Sequence, residues 1–239
     1  MEEQVTRLVD KAWEGFQNTP EDRRYLIAIA GIPGSGKTTL SQIVADRLNA
    51  RHATLHPELV ESVPVAAFVP MDGYHLTRAQ LSSMPDPEQA HARRGAEFTF
   101  DGPAYLRLIQ SLREKPTGPI HAPSFDHAVK DPKENDITIL PGHRIVVFEG
   151  NYLTLDREPW REAAGLMDQR WFVEVDFAVA RRRLVKRHVA AGIAADEAEA
   201  GKRADENDLV NGEQIMRERV STVDEIVVSR EDGDWRVQK

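Results

Sequence analysis

A segment near the start of the chain has the residue types and spacing of a phosphate-binding loop. Residues Gly31–Thr38 read GIPGSGKT, which fits the pattern G-x-x-x-x-G-K-[S/T] in full. Glycines let the backbone turn its N–H groups towards phosphate oxygens, and a following helix points its positive end at the same anion. The lysine of this pattern reaches the β- and γ-phosphates, and the threonine hydroxyl takes a place on Mg²⁺. The residues predicted to bind ATP are Gly31, Gly34, Ser35, Gly36, Lys37, Thr38 and Thr39.

Three carboxylates follow apolar runs that are typical of buried strands. Ligands bind at the carboxyl ends of strands in α/β sheets, so we expect Asp72 to accept the proton of a substrate hydroxyl or to hold that hydroxyl in line. Glu149 is the preferred Mg²⁺ ligand, with Thr38, because the glycine after it allows a close approach. Asp176 is the alternative ligand, although it can instead cap the helix that follows it.

A basic run, Arg181–His188, continues as a predicted helix. Arg183 and Arg187 are four residues apart and therefore share one helix face. From a lid they can clamp the transferring phosphate, although a solvated basic face is the alternative for each of them. The predicted catalytic residues are Asp72, Lys37, Arg183 and Arg187.

Further polar side chains cluster at the ends of predicted strands. We expect them to line the pocket of a small-molecule acceptor rather than to bind a metal, because their spacing is not that of metal-binding histidines. The predicted acceptor residues are Tyr74, His75, Arg93, His127, Asn151 and Tyr152.

The order of predicted elements indicates an α/β fold. Strands are expected at Tyr25–Ala30, Val65–Val69, Arg144–Phe148 and Trp171–Val175, and helices lie between them. This alternation predicts a doubly wound parallel sheet, here the P-loop NTPase fold with a helical lid. We expect a single domain over 1–239, with an N-terminal helix in 1–20 and the lid in about 181–208.

Three segments have less regular patterns. Residues 126–142 are polar and are expected to form an irregular excursion, and 192–208 are expected to be mobile because they contain few large apolar residues. Near the end, Glu225–Ser229 and Trp235–Val237 flank a turn-forming sequence that predicts a hairpin.

The composition limits the possible partners. The net charge is −8, and an acidic chain does not favour nucleic acid or an anionic membrane surface. No cysteine is present, which excludes disulfides and thiol nucleophiles. No apolar run is long enough to span a membrane. The lack of cysteine fits a cytoplasmic protein, which we expect here. A homodimer remains open, because the apolar face of the first helix around Trp13 can pack on its own domain or on a partner.

These motifs resemble the phosphoribulokinase/uridine kinase family, which also holds bacterial pantothenate kinase, from about Tyr25 to Val228. The subgroup that it resembles most contains bacterial fructose or pantothenate kinase-like proteins and fungal uridine-kinase-like proteins. The matching segments are Gly31–Thr38, Met71–His75, Arg93–Asp101, Pro123–His127 and Phe148–Tyr152.

The resemblance implies a kinase that uses ATP and Mg²⁺, with Asp72 as the base and a lid around Arg183 and Arg187. It does not define the acceptor, which among relatives is a nucleoside, a sugar phosphate or pantothenate. The guanine motif Asn-Lys-x-Asp and the transporter signature Leu-Ser-Gly-Gly-Gln are both absent from the sequence. A P-loop ATPase, or a nucleotide-binding regulatory protein without an acceptor, is the alternative.

Overall fold

The computed structural model describes residues 2–59 and 63–230. The strands are β1 (Tyr25–Gly31), β2 (Ala66–Pro70), β3 (Ile120–Asp126), β4 (Asp131–Ile139), β5 (Ile145–Gly150), β6 (Gln169–Glu174) and β7 (Glu225–Val228). The helices are α1 (Glu2–Gln17), α2 (Lys37–Leu55), α3 (Arg78–Ser82), α4 (Pro87–Ala92), α5 (Gly102–Arg113), α6 (Trp160–Gly165), α7 (Phe177–Ala190), α8 (Glu197–Arg203) and α9 (Leu209–Glu218). None of these helices is long and apolar enough to cross a membrane.

A five-stranded parallel sheet forms the centre of the molecule, in the order β2-β5-β1-β6-β7. Successive residues of β1 alternate between two apolar cores: Leu26, Ala28 and Ala30 face one, and Ile27 and Ile29 face the other. A strand that is covered on both faces must be apolar throughout, which explains the nearly continuous apolar runs of β1 and β5. The predicted doubly wound α/β fold is therefore confirmed.

Helix α1 packs on the same domain. Its buried residues include Leu8 and Trp13, which join the core that contains Ile27 and Ile29. The guanidinium of Arg51 on α2 lies over the Trp13 ring, 5.2 Å from its centroid. The face around Trp13 is thus covered by its own chain.

Two of the less regular segments are more ordered than expected. Residues 126–142 do not form an irregular excursion, because Asp131–Ile139 is a strand that pairs antiparallel with β3. Polar residues suit this ribbon: its outer side is exposed, and Ser124 there donates a hydrogen bond to Asp136 (2.7 Å). The stretch 192–208, for which we expect mobility, contains α8 and a π-helical turn, Ala204–Asp208. Of the predicted hairpin, Trp235–Val237 lies outside the described residues.

The carboxyl ends of β2 and β5 approach each other closely at Gly150. A Cβ placed on Gly150 would lie 2.4 Å from Cβ of Met71, the residue before Asp72. We expect Gly150→Ala to lower the free energy of unfolding by about 1–3 kcal/mol, because the backbone must shift to relieve the overlap.

Gly165→Ala is the matched control for this change. A Cβ on Gly165 would meet no atom within 4 Å, so this variant should be neutral or slightly more stable. Denaturant unfolding of both variants measures the difference, and equal stability of the two would contradict the close packing at Gly150.

Candidate active site

The loop between β1 and α2 has the backbone that its sequence predicts. Gly34 and Gly36 have φ of 79° and 89°, in the left-handed region that glycine adopts without strain. Gly36 is also the residue that caps the start of α2. A Cβ on Gly34 would lie 2.7 Å from the carbonyl oxygen of Ala180, so α7 packs directly against the loop. The loop therefore presents its N–H groups at the start of a long helix, as phosphate binding requires.

Lys37 and Glu149 form a buried pair beside this loop. The Lys37 Nζ lies 3.9 Å from Glu149 Oε1 and donates a hydrogen bond to the Ile32 carbonyl at 3.3 Å. Burial lowers the pKa of Lys37, and the charge of Glu149 opposes that shift. Burial raises the pKa of Glu149 to about 7, which Lys37 opposes and Asp72 reinforces. Two oppositely charged groups held out of water here are suited to charged ligands.

The oxygen atoms near Glu149 fit Mg²⁺. A hydrogen bond from the exposed Thr38 hydroxyl favours the charged form of Glu149, so hydroxyl and carboxylate lie together. Mg²⁺ typically takes one or two protein oxygens and completes its shell with phosphates and water. Asp176 is committed elsewhere: its carboxylate accepts hydrogen bonds from the N–H groups of Ala178 and Val179 at the start of α7. This geometry favours Glu149 over Asp176.

Asp72 lies at the carboxyl end of β2, in the single helical turn Met71–Tyr74. Its side chain is 52% exposed, and its charge acts on both Lys37 and Glu149. The Nδ1 atom of His75 lies 2.8 Å from the Asp72 carbonyl oxygen and 3.9 Å from its Oδ1. The carboxylate is accessible to a substrate hydroxyl and lies close to the phosphate loop.

The two predicted lid arginines differ in position. Arg183 donates hydrogen bonds to the carbonyl oxygens of Gly34 (3.2 Å) and Ser35 (3.4 Å), and to Ser229 Oγ (2.8 Å). It therefore bonds to carbonyl groups of the loop itself, which makes it a support for the loop rather than a free clamp on the phosphate. Arg187 is exposed, and its charge lowers the pKa of both Lys37 and Glu149. Of the pair, Arg187 is the one whose charge acts on both Lys37 and Glu149.

An aromatic patch lies beside Asp72. The ring centroids of His75 and Phe125 are 5.0 Å apart. His127 is exposed in the turn between β3 and β4, and its ring centroid lies 5.2 Å from that of Phe125. Burial lowers the pKa of His75, an effect that the Asp72 charge opposes. Nearby, at the end of β5, the buried Asn151 Oδ1 has no hydrogen-bond partner in the described part of the chain. The three rings can offer their faces to a ligand, and the Asn151 oxygen is a buried acceptor without a partner.

Tyr74 and Tyr152, two predicted acceptor residues, lie in the interior. Tyr152 is fully buried and donates a hydrogen bond from its hydroxyl to the Gly95 carbonyl (2.8 Å), so its role here is packing. Tyr74 packs edge-on against Tyr105 and, together with His75, lines a cavity of about 310 Å³. No phosphate-loop residue lines that cavity, nor does Asp72 or Glu149. His75 thus lies beside Asp72 and also lines this cavity, whereas the two tyrosine rings are buried.

Arg93 is held by two amide side chains that no sequence pattern pairs with it. Its Nε donates to Asn207 Oδ1 (2.9 Å) and one of its Nη atoms to Asn211 Oδ1 (2.5 Å). The neighbouring Asp208 bonds to His188 on α7 (2.8 Å), and its charge acts on Lys37. The sequence carried only a faint signal for these residues, the polar segment Asp205–Asn211, which spans the π-helical turn and the start of α9.

Comparisons with known proteins agree with this geometry. The model described as "Phosphoribulokinase / Uridine kinase family" matches residues 26–196. An ATP-dependent kinase-like protein, notR', from Aspergillus versicolor is 54% identical over 169 residues, 70% of this chain and 95% of that protein. A candidate uridine kinase from Schizosaccharomyces pombe, C227.14, is 42% identical over 79% of this chain and 77% of its own length.

A solved structure extends the comparison to the fold. YFH7 from Saccharomyces cerevisiae, described as a candidate P-loop kinase with a circular permutation, superposes with a TM-score of 0.83 at 25% identity. The match covers 95% of this chain and 99% of that one. The phosphate loop, the parallel sheet and these relatives lead to one conclusion: the chain belongs to the phosphoribulokinase/uridine kinase family and is a P-loop kinase.

Proposed function

We propose that this kinase transfers the γ-phosphoryl group of ATP to a hydroxyl group of a small metabolite. The observation that carries the proposal is the convergence of three side chains from three neighbouring elements. Lys37 follows β1, Asp72 follows β2 and Glu149 ends β5, and each of the two carboxylates alters the pKa of Lys37. A regulatory protein that only bound nucleotide would need no exposed carboxylate at the position of Asp72.

The residues of the chain have distinct roles in the proposed mechanism. The loop Gly31–Thr38 binds the phosphates through its backbone N–H groups, and Lys37 binds the β- and γ-phosphates. Asp72 holds the acceptor hydroxyl in line and accepts its proton. When bound, Mg²⁺ would be held by Thr38 and Glu149 and would offset the charge of the phosphates.

Arg187 has a separate role in this proposal. Its guanidinium offsets the charge that grows on the transferring group, while Arg183 keeps the loop in shape from outside. Catalysis on this plan depends on positioning and electrostatics, because phosphoryl transfer requires little covalent chemistry from the protein.

The proposal is tested by ADP release with Mg·ATP against a panel of hydroxyl acceptors. The panel contains nucleosides, hexoses, pentose phosphates and pantothenate, and mass spectrometry identifies the phosphorylated product. One acceptor should raise the rate far above the background and gain a phosphate. Steady hydrolysis that no acceptor changes would instead favour an ATPase.

Glu149→Gln and Asp176→Asn should separate the two candidate Mg²⁺ ligands. Loss of the Glu149 charge should raise the Mg²⁺ concentration for half-maximal turnover by about 10-fold or more, because an amide is a poor ligand for a hard cation. Asp176→Asn should keep the wild-type Mg²⁺ dependence, since asparagine also caps helices well. Turnover measured over a Mg²⁺ titration checks both variants, and the reverse pattern would assign the ligand to Asp176.

A further inference from the structure

The guanidinium of Arg93 is fixed by neutral groups. Both of its described side-chain partners are amide oxygens, from Asn207 and Asn211, which are 5% and 1% exposed. Within the described residues no carboxylate lies at ion-pair distance from Arg93. The amides determine where the guanidinium points, and they leave its charge in place.

Two other arginines, Arg94 and Arg181, are paired with carboxylates instead. Arg94 pairs with Asp131 at 3.0 Å, and Arg181 pairs with Asp205 at 2.7 Å. A carboxylate partner both positions an arginine and offsets its charge, whereas an amide only positions it. Holding a partly buried cation with two buried amides costs desolvation, and no carboxylate of the described residues lies close enough to offset it. Such an arrangement is suited to a ligand that brings the negative charge.

Arg93 adjoins the aromatic patch beside Asp72 through its neighbour Arg94. It is the residue at which α4 ends, and the guanidinium of Arg94 next to it lies 5.5 Å from the centroid of the Phe125 ring, in the aromatic patch beside Asp72. The Asn207 amide also donates to the Arg94 carbonyl (3.1 Å), which ties this segment to the turn before α9. The charge of Arg93 acts on the Tyr152 hydroxyl, which follows β5. No hydrogen bond or ion pair joins Arg93 to the phosphate loop among the described residues.

We propose that the acceptor of this kinase carries an anionic group, a carboxylate or a phosphate, that binds to Arg93. Asn207 and Asn211 act as positioning residues for that arginine. This inference rests on the proposed function, because it names the class of acceptor for the same site. A bidentate contact from a fixed guanidinium fits either anion.

Anion binding can be tested without knowing the acceptor. The protein is saturated with Mg²⁺ and the non-hydrolysable analogue AMP-PNP, then titrated with sulfate at constant ionic strength while arginine Nε–H signals are followed by NMR. The Arg93 signal, assigned by its loss in Arg93→Gln, should shift and saturate. Arg23→Gln, which removes an exposed arginine remote from the site, should leave the titration unchanged. An Arg93 signal that sulfate does not move would overturn the anion site.

Asn211→Asp gives a sharper variant. The two side chains have nearly the same shape, and a carboxylate oxygen accepts the hydrogen bond from Arg93 as the amide does, but it also offsets the charge. If Asn211 were merely structural, this change would have little effect. We expect it to abolish the sulfate shift and to raise KM for the acceptor by about 10- to 100-fold, with KM for ATP nearly unchanged. Asn211→Ala should also raise KM for the acceptor, because Arg93 loses its position.

Pairs of acceptors that differ by one anionic group identify the anion. They also separate a failure of this inference from a failure of the proposed function. Pantothenate against panthenol, glycerate against glycerol, and ribose 5-phosphate against ribose each differ by one anionic group. Turnover of one anionic member and not of its neutral partner supports the inference and identifies the group. A neutral acceptor whose KM is unaffected by Arg93→Gln would overturn it, as would a rise in KM for ATP alone. Absence of turnover with every acceptor, by contrast, would count against the proposed function itself.

Discussion

Asp72→Asn should reduce phosphoryl transfer by about 10²- to 10⁴-fold while nucleotide binding stays close to that of the wild type. An amide cannot accept the proton of the acceptor hydroxyl, although it can still form a hydrogen bond with it. The Asp72 side chain is half exposed and lies after β2, outside the loop that binds the phosphates. The loss should therefore appear in kcat, with little change in the Kd for ATP.

Single-turnover transfer and calorimetric titration with AMP-PNP measure these two quantities separately. Asp46→Asn is the matched control, because it removes one exposed carboxylate from α2 on the same domain and should leave both quantities unchanged. Near-normal turnover of Asp72→Asn would remove Asp72 from the mechanism. A parallel loss of ATP affinity would assign its charge to nucleotide binding instead.

The fold was predictable because its signals are local. The phosphate loop is one continuous stretch of sequence: a short apolar run, then glycines, Lys37 and a helix. Each part can be recognised from the residues next to it in the chain. The carboxylates Asp72 and Glu149 were also predictable, since strand ends in a parallel sheet meet at one edge. The capping role of Asp176 was predictable as well, because a cap depends only on the helix that follows it.

Other features of the site depend on partners that are distant in the sequence. Arg183 shares a helix face with Arg187, but which loop α7 packs against is decided by Gly34 and Ala180, and that packing turned Arg183 to the loop carbonyls. The bonds from Arg93 to its two amides span 114 and 118 residues. Helix spacing cannot reveal such contacts. Polar spacing likewise cannot show that Tyr152 has its hydroxyl bonded inside the core.

Lys37→Ala should weaken ATP binding by about 10- to 100-fold and reduce transfer by a larger factor. The Lys37 ammonium is nearly buried beside the loop, where its interaction with phosphate oxygens is not screened by water. Charge grows on the transferring group, so a fixed cation contributes more to the transition state than to the bound nucleotide. The loss in kcat/KM should therefore exceed the loss in affinity.

The loss of Lys37 should also affect Glu149, the proposed Mg²⁺ ligand. Because Lys37 lowers the pKa of Glu149, its removal should raise that pKa above about 7 and leave more of the carboxyl protonated at neutral pH. The Mg²⁺ requirement should then rise together with the loss of transfer. Lys186→Ala, which removes an exposed cation from α7, is the control and should change neither. Fluorescent-nucleotide titration and single-turnover rates over a range of Mg²⁺ decide the matter, because unchanged affinity and turnover in Lys37→Ala would contradict the assignment of Gly31–Thr38 as the phosphate-binding loop.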